Sequence, residues 1–319
     1  MKQRRRVLTK KLALLCERLW FSLRGQPLTS STIFLAGSGR SGTTWLADII
    51  GTIPNIQQVF EPLSPVWDKE VRELANWDKR DPYLRSVYLK PFGSYPRWHG
   101  YLQKVLSGQV RNDWTDQKGI GILPSRFLVK EIRSNLMLGY IYENFQPSII
   151  YIMRHPCAVI SSRLIRPKPW FTDVNDILYQ EELVEDYLRP WVKEIEQEKD
   201  LVGAHAVWWA LENLVALNQL HKVPHLLITY ESLVTDPEAA LQVVFRFLQV
   251  TKKPDCLNEL ISKPSRTSRK NRDYESVVDR LSAWKRELSA EHQERILDWS
   301  YKLGIDIYDF EIFPRKNNA

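Results

Sequence analysis

Ile33-Phe34-Leu35-Ala36-Gly37-Ser38-Gly39-Arg40-Ser41-Gly42-Thr43-Thr44-Trp45-Leu46 reads as an apolar strand, a glycine-rich turn and the first turn of a helix. Such a junction aims backbone N–H groups and the positive end of a helix dipole at an anion, usually a phosphate. Gly37 and Gly42 have the G-x-x-x-x-G spacing of a nucleoside-triphosphate loop, but Thr43 stands where that loop carries its lysine. The basic residue is instead Arg40, inside the turn. A loop that holds phosphate without the γ-phosphate lysine points to a phosphate donor other than ATP.

A second motif lies downstream, Ile149-Ile150-Tyr151-Ile152-Met153-Arg154-His155-Pro156, continuing to Ser161-Ser162-Arg163-Leu164. A buried strand ends in arginine, and a helix begins at the proline. In nucleoside-triphosphate hydrolases the corresponding strand ends in an aspartate that holds Mg²⁺. The reversed charge suits a further phosphate rather than a metal. The guanidinium of Arg154 supplies fork-shaped donors, and Ser162 adds a hydroxyl.

GRSGTTWL resembles the 5′-phosphosulfate-binding loop of sulfotransferases, in which a Lys or Arg precedes Ser-Gly-Thr-Thr. These enzymes use 3′-phosphoadenylyl sulfate (PAPS). Arg154 and Ser162, eight positions apart, resemble the pair that grips the 3′-phosphate of PAPS in that family. The resemblance covers roughly residues 28–308 and implies a P-loop-like three-layer α/β fold, a central parallel sheet flanked by helices. It implies PAPS as co-substrate held by Arg40, Ser41, Gly42, Thr43 and Thr44, with Trp45 stacking on adenine; a tryptophan in a first helical turn serves equally as core. Tyr230 ends the apolar run LLITY, and YESLVTDP resembles a stretch on the adenine side. The segment from Lys263 to Lys270 lies where the family closes over the 3′-phosphate, which selects Ser265, Arg266 and Arg269, although the usual Arg-Lys-Gly triplet is missing.

The chemistry needs a base for the acceptor hydroxyl and cations for the developing charge. The Lys-Thr-His pattern of small-phenol sulfotransferases is missing, whereas Phe60-Glu61-Pro62 resembles carbohydrate sulfotransferases with a glutamate base. Glu61 is therefore the expected base, with Glu131 in reserve. Lys130, at the end of FLVK, and Arg40 would stabilise charge on the leaving group. Arg133 would help hold the acceptor, and the lone His155 and His205 read as structural. In-line displacement at sulfur by this set requires no metal. The same glutamate occurs in tyrosylprotein sulfotransferases, so a peptide acceptor stays open beside a carbohydrate or glycolipid one. A P-loop kinase is the competing enzyme class, opposed by Thr43 and Arg154. A non-catalytic polyanion-binding module is the competing non-enzyme.

Composition narrows these classes. The 319 residues include 45 basic and 38 acidic side chains, a formal charge of +7. Residues 1–24 hold eight of the basic and one of the acidic residues, so the remaining 37 of each sign balance. A neutral body argues against a broad nucleic-acid-binding face. Leu8, Leu12, Leu15 and Leu19 share one helical face among the basic residues, the pattern of a basic amphipathic segment over 1–27 that packs on the domain or touches anionic lipid peripherally. Glu17 and Arg18 interrupt the apolar stretch of a signal peptide. Three scattered cysteines make neither a disulfide framework nor a metal site and suit a cytoplasmic setting.

Four apolar runs predict parallel strands: Thr32–Ala36, Phe127–Lys130, Ser148–Met153 and His225–Tyr230. Between them the pattern predicts a helix over Gly203–Leu220 with an apolar stripe through Val207, Trp208, Leu211, Leu214, Val215 and Leu217. Asp236-Pro237-Glu238 opens another helix, and Ser289 caps a last one that Gly304 ends. A single domain over 28–310 is expected, with a tail over 311–319. Stretch 64–125, of weak periodicity, and stretch 165–202, which opens on Arg166-Pro167-Lys168-Pro169-Trp170-Phe171 and continues into a charged helical pattern, read as inserted acceptor-binding walls.

Overall fold

The computed structural model describes residues 28–75, 86–119, 124–165, 170, 172–250, 254, 259, 261 and 274–315. The N-terminal basic segment and the expected contacts Ser265, Arg266 and Arg269 lie outside the described residues.

Five strands form one parallel sheet: β1 (Ile33–Ala36), β2 (Ile56–Phe60), β3 (Arg126–Lys130), β4 (Ser148–Met153) and β5 (His225–Thr229), in the order β2-β3-β1-β4-β5. The helices are α1 (Thr43–Ile50), α2 (Lys69–Leu74), α3 (Pro96–Leu106), α4 (Leu138–Phe145), α5 (Pro156–Leu164), α6 (Leu201–Leu220), α7 (Tyr230–Thr235), α8 (Pro237–Phe247) and α9 (Ala290–Lys302). Shorter helical turns lie between Asn175 and Ile195 and at 277–287.

Strand alternation sorts the core into two layers. Phe34, Ala36, Val129, Ile149, Tyr151 and Met153 face the larger layer with α3, α4, α5, α6 and α9. Ile33, Leu35, Leu128, Ile150 and Ile152 face the smaller one with α1 and α8. Thus β1 leads into a helix on one face and its neighbour β4 into a helix on the other. Adjacent strands whose connections part in this way leave a crevice at their carboxyl ends, where open α/β sheets bind ligands.

The structure departs from the sequence expectations in four places. Strand β2 was not expected, because Gln57 and Gln58 interrupt its apolar run; both are buried, and Gln57 Nε2 donates to the Gly119 carbonyl at 2.9 Å. Tyr230 does not end β5: it is the first residue of α7, whose cap is Thr229 Oγ1 accepting from Ser232 N. Helix α6 starts at Leu201, capped by Asp200, and is buried on nearly all sides; Leu214 and Leu217 of the expected stripe are less covered than His205, Trp209, Glu212 and Ala216. Finally, the described residues of 64–125 include helices α2 and α3 despite the weak periodicity. Trp98, Tyr101, Leu102, Val105 and Leu106 of α3 follow helical spacing and join the larger core layer, as do Ile177, Leu183, Leu188 and Ile195 from the second stretch. The caps at Asp236 and Ser289 accept from Ala239 N and His292 N as their sequence signals predict. No described helix is long and apolar enough to cross a membrane.

Candidate active site

The glycine loop bridges β1 to α1. Gly37 is required by close approach: a Cβ there would lie 2.4 Å from the Ile152 carbonyl oxygen of β4. Gly42 has φ +96°, a left-handed conformation, and a Cβ would meet the Tyr230 ring at 2.5 Å. Arg40 also has positive φ, 83°, without glycine's freedom. It is held there by its neighbours. Arg154 Nη1 donates to the Arg40 carbonyl at 3.0 Å, and Arg40 Nε donates to Ser162 Oγ at 3.0 Å. The Arg154 guanidinium lies 4.2 Å from the centroid of the Tyr230 ring, which abuts Gly42 in turn. Arg40, Gly42, Arg154, Ser162 and Tyr230, far apart in sequence, therefore form one connected group. In this group and the adjoining loop residue Ser41, Arg154 Nε and Ser41 Oγ are buried without a hydrogen-bond partner. Thr43 and Thr44 are buried at the head of α1, and Trp45 is half-buried against the smaller core layer.

Two strands away, β2 and β3 place Glu61, Lys130 and Arg133 together. The register pairs Phe60 with Lys130, and Glu61 N donates to the Lys130 carbonyl at 2.8 Å, extending the ladder by one bond. Glu61 then turns out with φ 41°, a strained value for a non-glycine residue. Its carboxylate accepts from Lys130 Nζ on one oxygen and from Arg133 Nη1 at 3.1 Å on the other. Burial pushes this carboxyl up; the Lys130 ammonium and the Arg133 guanidinium together outweigh that and hold it below the usual carboxylate range. Glu61 is thus held in its ionised form, with the buried Lys130 side chain beside it. Arg133 was expected to help hold an acceptor; its guanidinium is committed at least in part to Glu61.

Glu131 is not available as a reserve base. Fully buried, it accepts from Leu63 N at 2.7 Å, Ile132 N at 2.7 Å and Arg133 N at 3.0 Å, fastening the turns that follow β2 and β3. Burial raises its carboxyl above the ordinary value, with Arg133 opposing and Glu61 reinforcing. His155 caps α5 by accepting from Cys157 N at 3.2 Å, bonds the Asp309 carbonyl through Nε2 at 2.8 Å and stacks on Trp284. Burial depresses it to about 4, so it is neutral and structural. His205, depressed by burial to about 3, bonds the Trp170 carbonyl at 2.9 Å.

Strand order lines the site up along one edge of the sheet: Glu61, Lys130, the glycine loop, Arg154 and Tyr230 follow β2, β3, β1, β4 and β5 in turn. Sequence reasoning missed a buried layer behind the loop, in which Arg163 and Glu212 hold Gly39 and Ser38. Arg163 had been visible beside Ser162, but its partner on α6 carries no local signal. Among the described residues no cluster of His, Cys, Asp and Glu could hold a metal ion.

Residues 30–299 match the family described as the sulfotransferase domain. No curated protein matches the chain. Among solved structures, the sulfotransferase domain of an olefin synthase from Synechococcus PCC 7002 is 17% identical, with a TM-score of 0.46 over 88% of this chain and 95% of that one. Mouse sulfotransferase SULT7A1 complexed with PAP is 16% identical, with a TM-score of 0.45 over 88% and 87%. Retinol dehydratase in complex with androsterone and PAP is 15% identical, with a TM-score of 0.38 over 92% and 85%.

Proposed function

Since the chain belongs to the sulfotransferase family by its match over residues 30–299, we propose that it moves a sulfonyl group from PAPS to a hydroxyl of a carbohydrate or glycolipid acceptor. The observation that carries this reading is the row of groups along the carboxyl edge of the sheet, an ionised Glu61 clamped by cations at one end and two phosphate grips joined through Arg40 at the other. The orphaned Ser41 Oγ and Arg154 Nε suit a ligand rich in acceptor oxygens.

In this reading Arg40, Ser41, Gly42, Thr43 and Thr44 hold the 5′-phosphosulfate end, and Arg154 and Ser162 the 3′-phosphate. Trp45 and Tyr230 flank the adenine. PAPS supplies a sulfonyl group whose departure leaves charge on the 5′-phosphate. Glu61 takes the proton of the acceptor hydroxyl as its oxygen bonds to sulfur, contributing on the order of 10²–10⁴-fold. In this reading Lys130 and Arg40 offset the negative charge that develops on the leaving group. In the same reading residues 64–125, after β2, and 165–202, after α5, supply the acceptor walls of a domain spanning 28–310. A cytoplasmic setting accords with a buried, unpaired Cys157.

The test is transfer of labelled sulfate from PAPS to a panel of glycans, glycolipids and tyrosine peptides. Turnover confined to sugars or glycolipids is the expected result. Transfer to tyrosine peptides alone overturns the acceptor assignment, and no transfer from PAPS to any acceptor overturns the reaction.

A further inference from the structure

We propose that Arg163 and Glu212 are positioning residues that set the glycine loop from behind, so that its amides face the sulfonyl donor; the inference rests on the sulfotransferase reading. Arg163, in the last turn of α5, is 1% exposed, and Glu212, in the middle of α6, is 2% exposed. They face each other with Arg163 Nη2 3.5 Å from Glu212 Oε2. Each takes one atom of the loop. Arg163 donates through Nε at 3.3 Å and Nη2 at 3.2 Å to the Gly39 carbonyl. Glu212 Oε2 accepts from Ser38 Oγ at 2.7 Å. Consecutive loop residues are thus pulled into the core by opposite charges, a carbonyl by the cation and a hydroxyl by the anion.

The consequence for the loop follows from peptide planarity. In a trans peptide the N–H points opposite to the C=O. Drawing the Gly39 carbonyl onto Arg163 turns the Arg40 N–H away from the buried pair. Arg154 draws on the next carbonyl, that of Arg40, at 3.0 Å. Two arginines of the β4–α5 segment therefore hold two successive carbonyls, and the positive φ of Arg40 lies between those anchors. The pair is itself braced. Glu212 accepts from Ser86 Oγ at 3.4 Å, and Asn213 Nδ2 lies 3.4 Å from Ser38 Oγ while its Oδ1 accepts from Tyr151 OH at 3.0 Å. Trp170 closes the assembly, its ring 5.7 Å from the Arg163 guanidinium and close enough to Gly39 that a Cβ there would lie 2.6 Å from it.

Energetics separate positioning from simple stabilisation. A buried ion pair recovers little of its desolvation cost, and well-packed apolar replacement of both partners is often neutral or stabilising. A pair kept only for stability has an easy apolar substitute, whereas a pair that must draw on a carbonyl and a hydroxyl has none. The double variant R163M/E212L tests this, with PAP as the probe, measured by calorimetry on the full chain. The expected result is a variant that folds with a lower Tm than the parent, because the Gly39 carbonyl and Ser38 Oγ lose these partners, together with PAP binding roughly 10- to 100-fold weaker, the loss of hydrogen bonds to charged groups. The acceptor KM stays near the parent value. Arg163→Lys keeps the charge but loses the fork geometry, so it gives the same direction of change should the double variant not fold. A variant that folds and binds PAP as tightly as the parent overturns the inference alone. A parent chain that binds no PAP overturns the sulfotransferase reading beneath it as well.

Discussion

Glu61 receives two cations and a strained backbone, and each has a measurable consequence. Glu61→Gln leaves Lys130 and Arg133 buried beside a neutral amide, so a stability loss of about 3 kcal/mol is expected. Turnover falls by on the order of 10²–10⁴-fold, while PAP binding, two strands away, stays at the parent value. Undiminished turnover in that variant removes Glu61 as the base. His155 gives a second residue-scale prediction. Burial holds it at about 4, whereas an unfolded histidine titrates near about 6.5. Between those values the unfolded chain binds the extra proton, so the contribution of His155 is fully present above about pH 7 and is lost as pH falls toward 4. Asn at 155 can still cap α5 without titrating. The parent-minus-variant difference in urea-derived stability should therefore grow by about 3 kcal/mol from pH 4 to pH 7. Glu131, Glu212 and Glu231, whose carboxyls burial raises, titrate with the opposite sign in both proteins and cancel in the difference. A difference independent of pH contradicts the assignment of His155 as a buried neutral cap.

At the scale of elements, the β1–loop–α1 junction is fitted against two strands at once. Gly37 lies on the Ile152 carbonyl of β4, and Gly42 lies against Tyr230, which begins α7 after β5. Tyr230 thus acts from a helix start, packed between Gly42 and the Arg154 guanidinium. Gly42→Ala combines a left-handed φ with a clash against that ring. A loss of about 1–3 kcal/mol in stability is expected, together with PAP binding weakened at least tenfold. Chemical denaturation and calorimetry on the same sample check both, and an alanine variant with parent affinity shows that the loop tolerates a side chain there. Strand β2 makes the corresponding point for the proposed base. Its pairing with β3 brings Glu61 to Lys130 although 69 residues separate them.

Across the whole molecule, the sheet order spreads the two ends of the proposed reaction over five strand ends, and Arg154 sits near the junction of the nucleotide half. It holds the Arg40 carbonyl and lies over Tyr230, so Arg154→Ala removes a proposed phosphate grip and a loop anchor together. PAP at a hundred times its Kd should stabilise the parent by about 2.7 kcal/mol, seen as a raised Tm, and the variant should lose most of that rise. An equal rise in both proteins excludes Arg154 from the site. The loop, the strand-end arginine, four of the five strands and the caps at Asp236 and Ser289 were legible along the chain, because each depends on neighbours a few residues away. Motif spacing, apolar runs and capping signals are local physics, and the amino-acid order by itself determined them. Strand β2, the helix start at Tyr230, the clamp of Lys130 and Arg133 on Glu61, the backbone role of Glu131 and the Arg163–Glu212 brace were decided by tertiary structure alone. Each joins groups whose partners are set by strand register or helix packing, and a charge or glutamine inside the core has no periodic signature until its partner is in place.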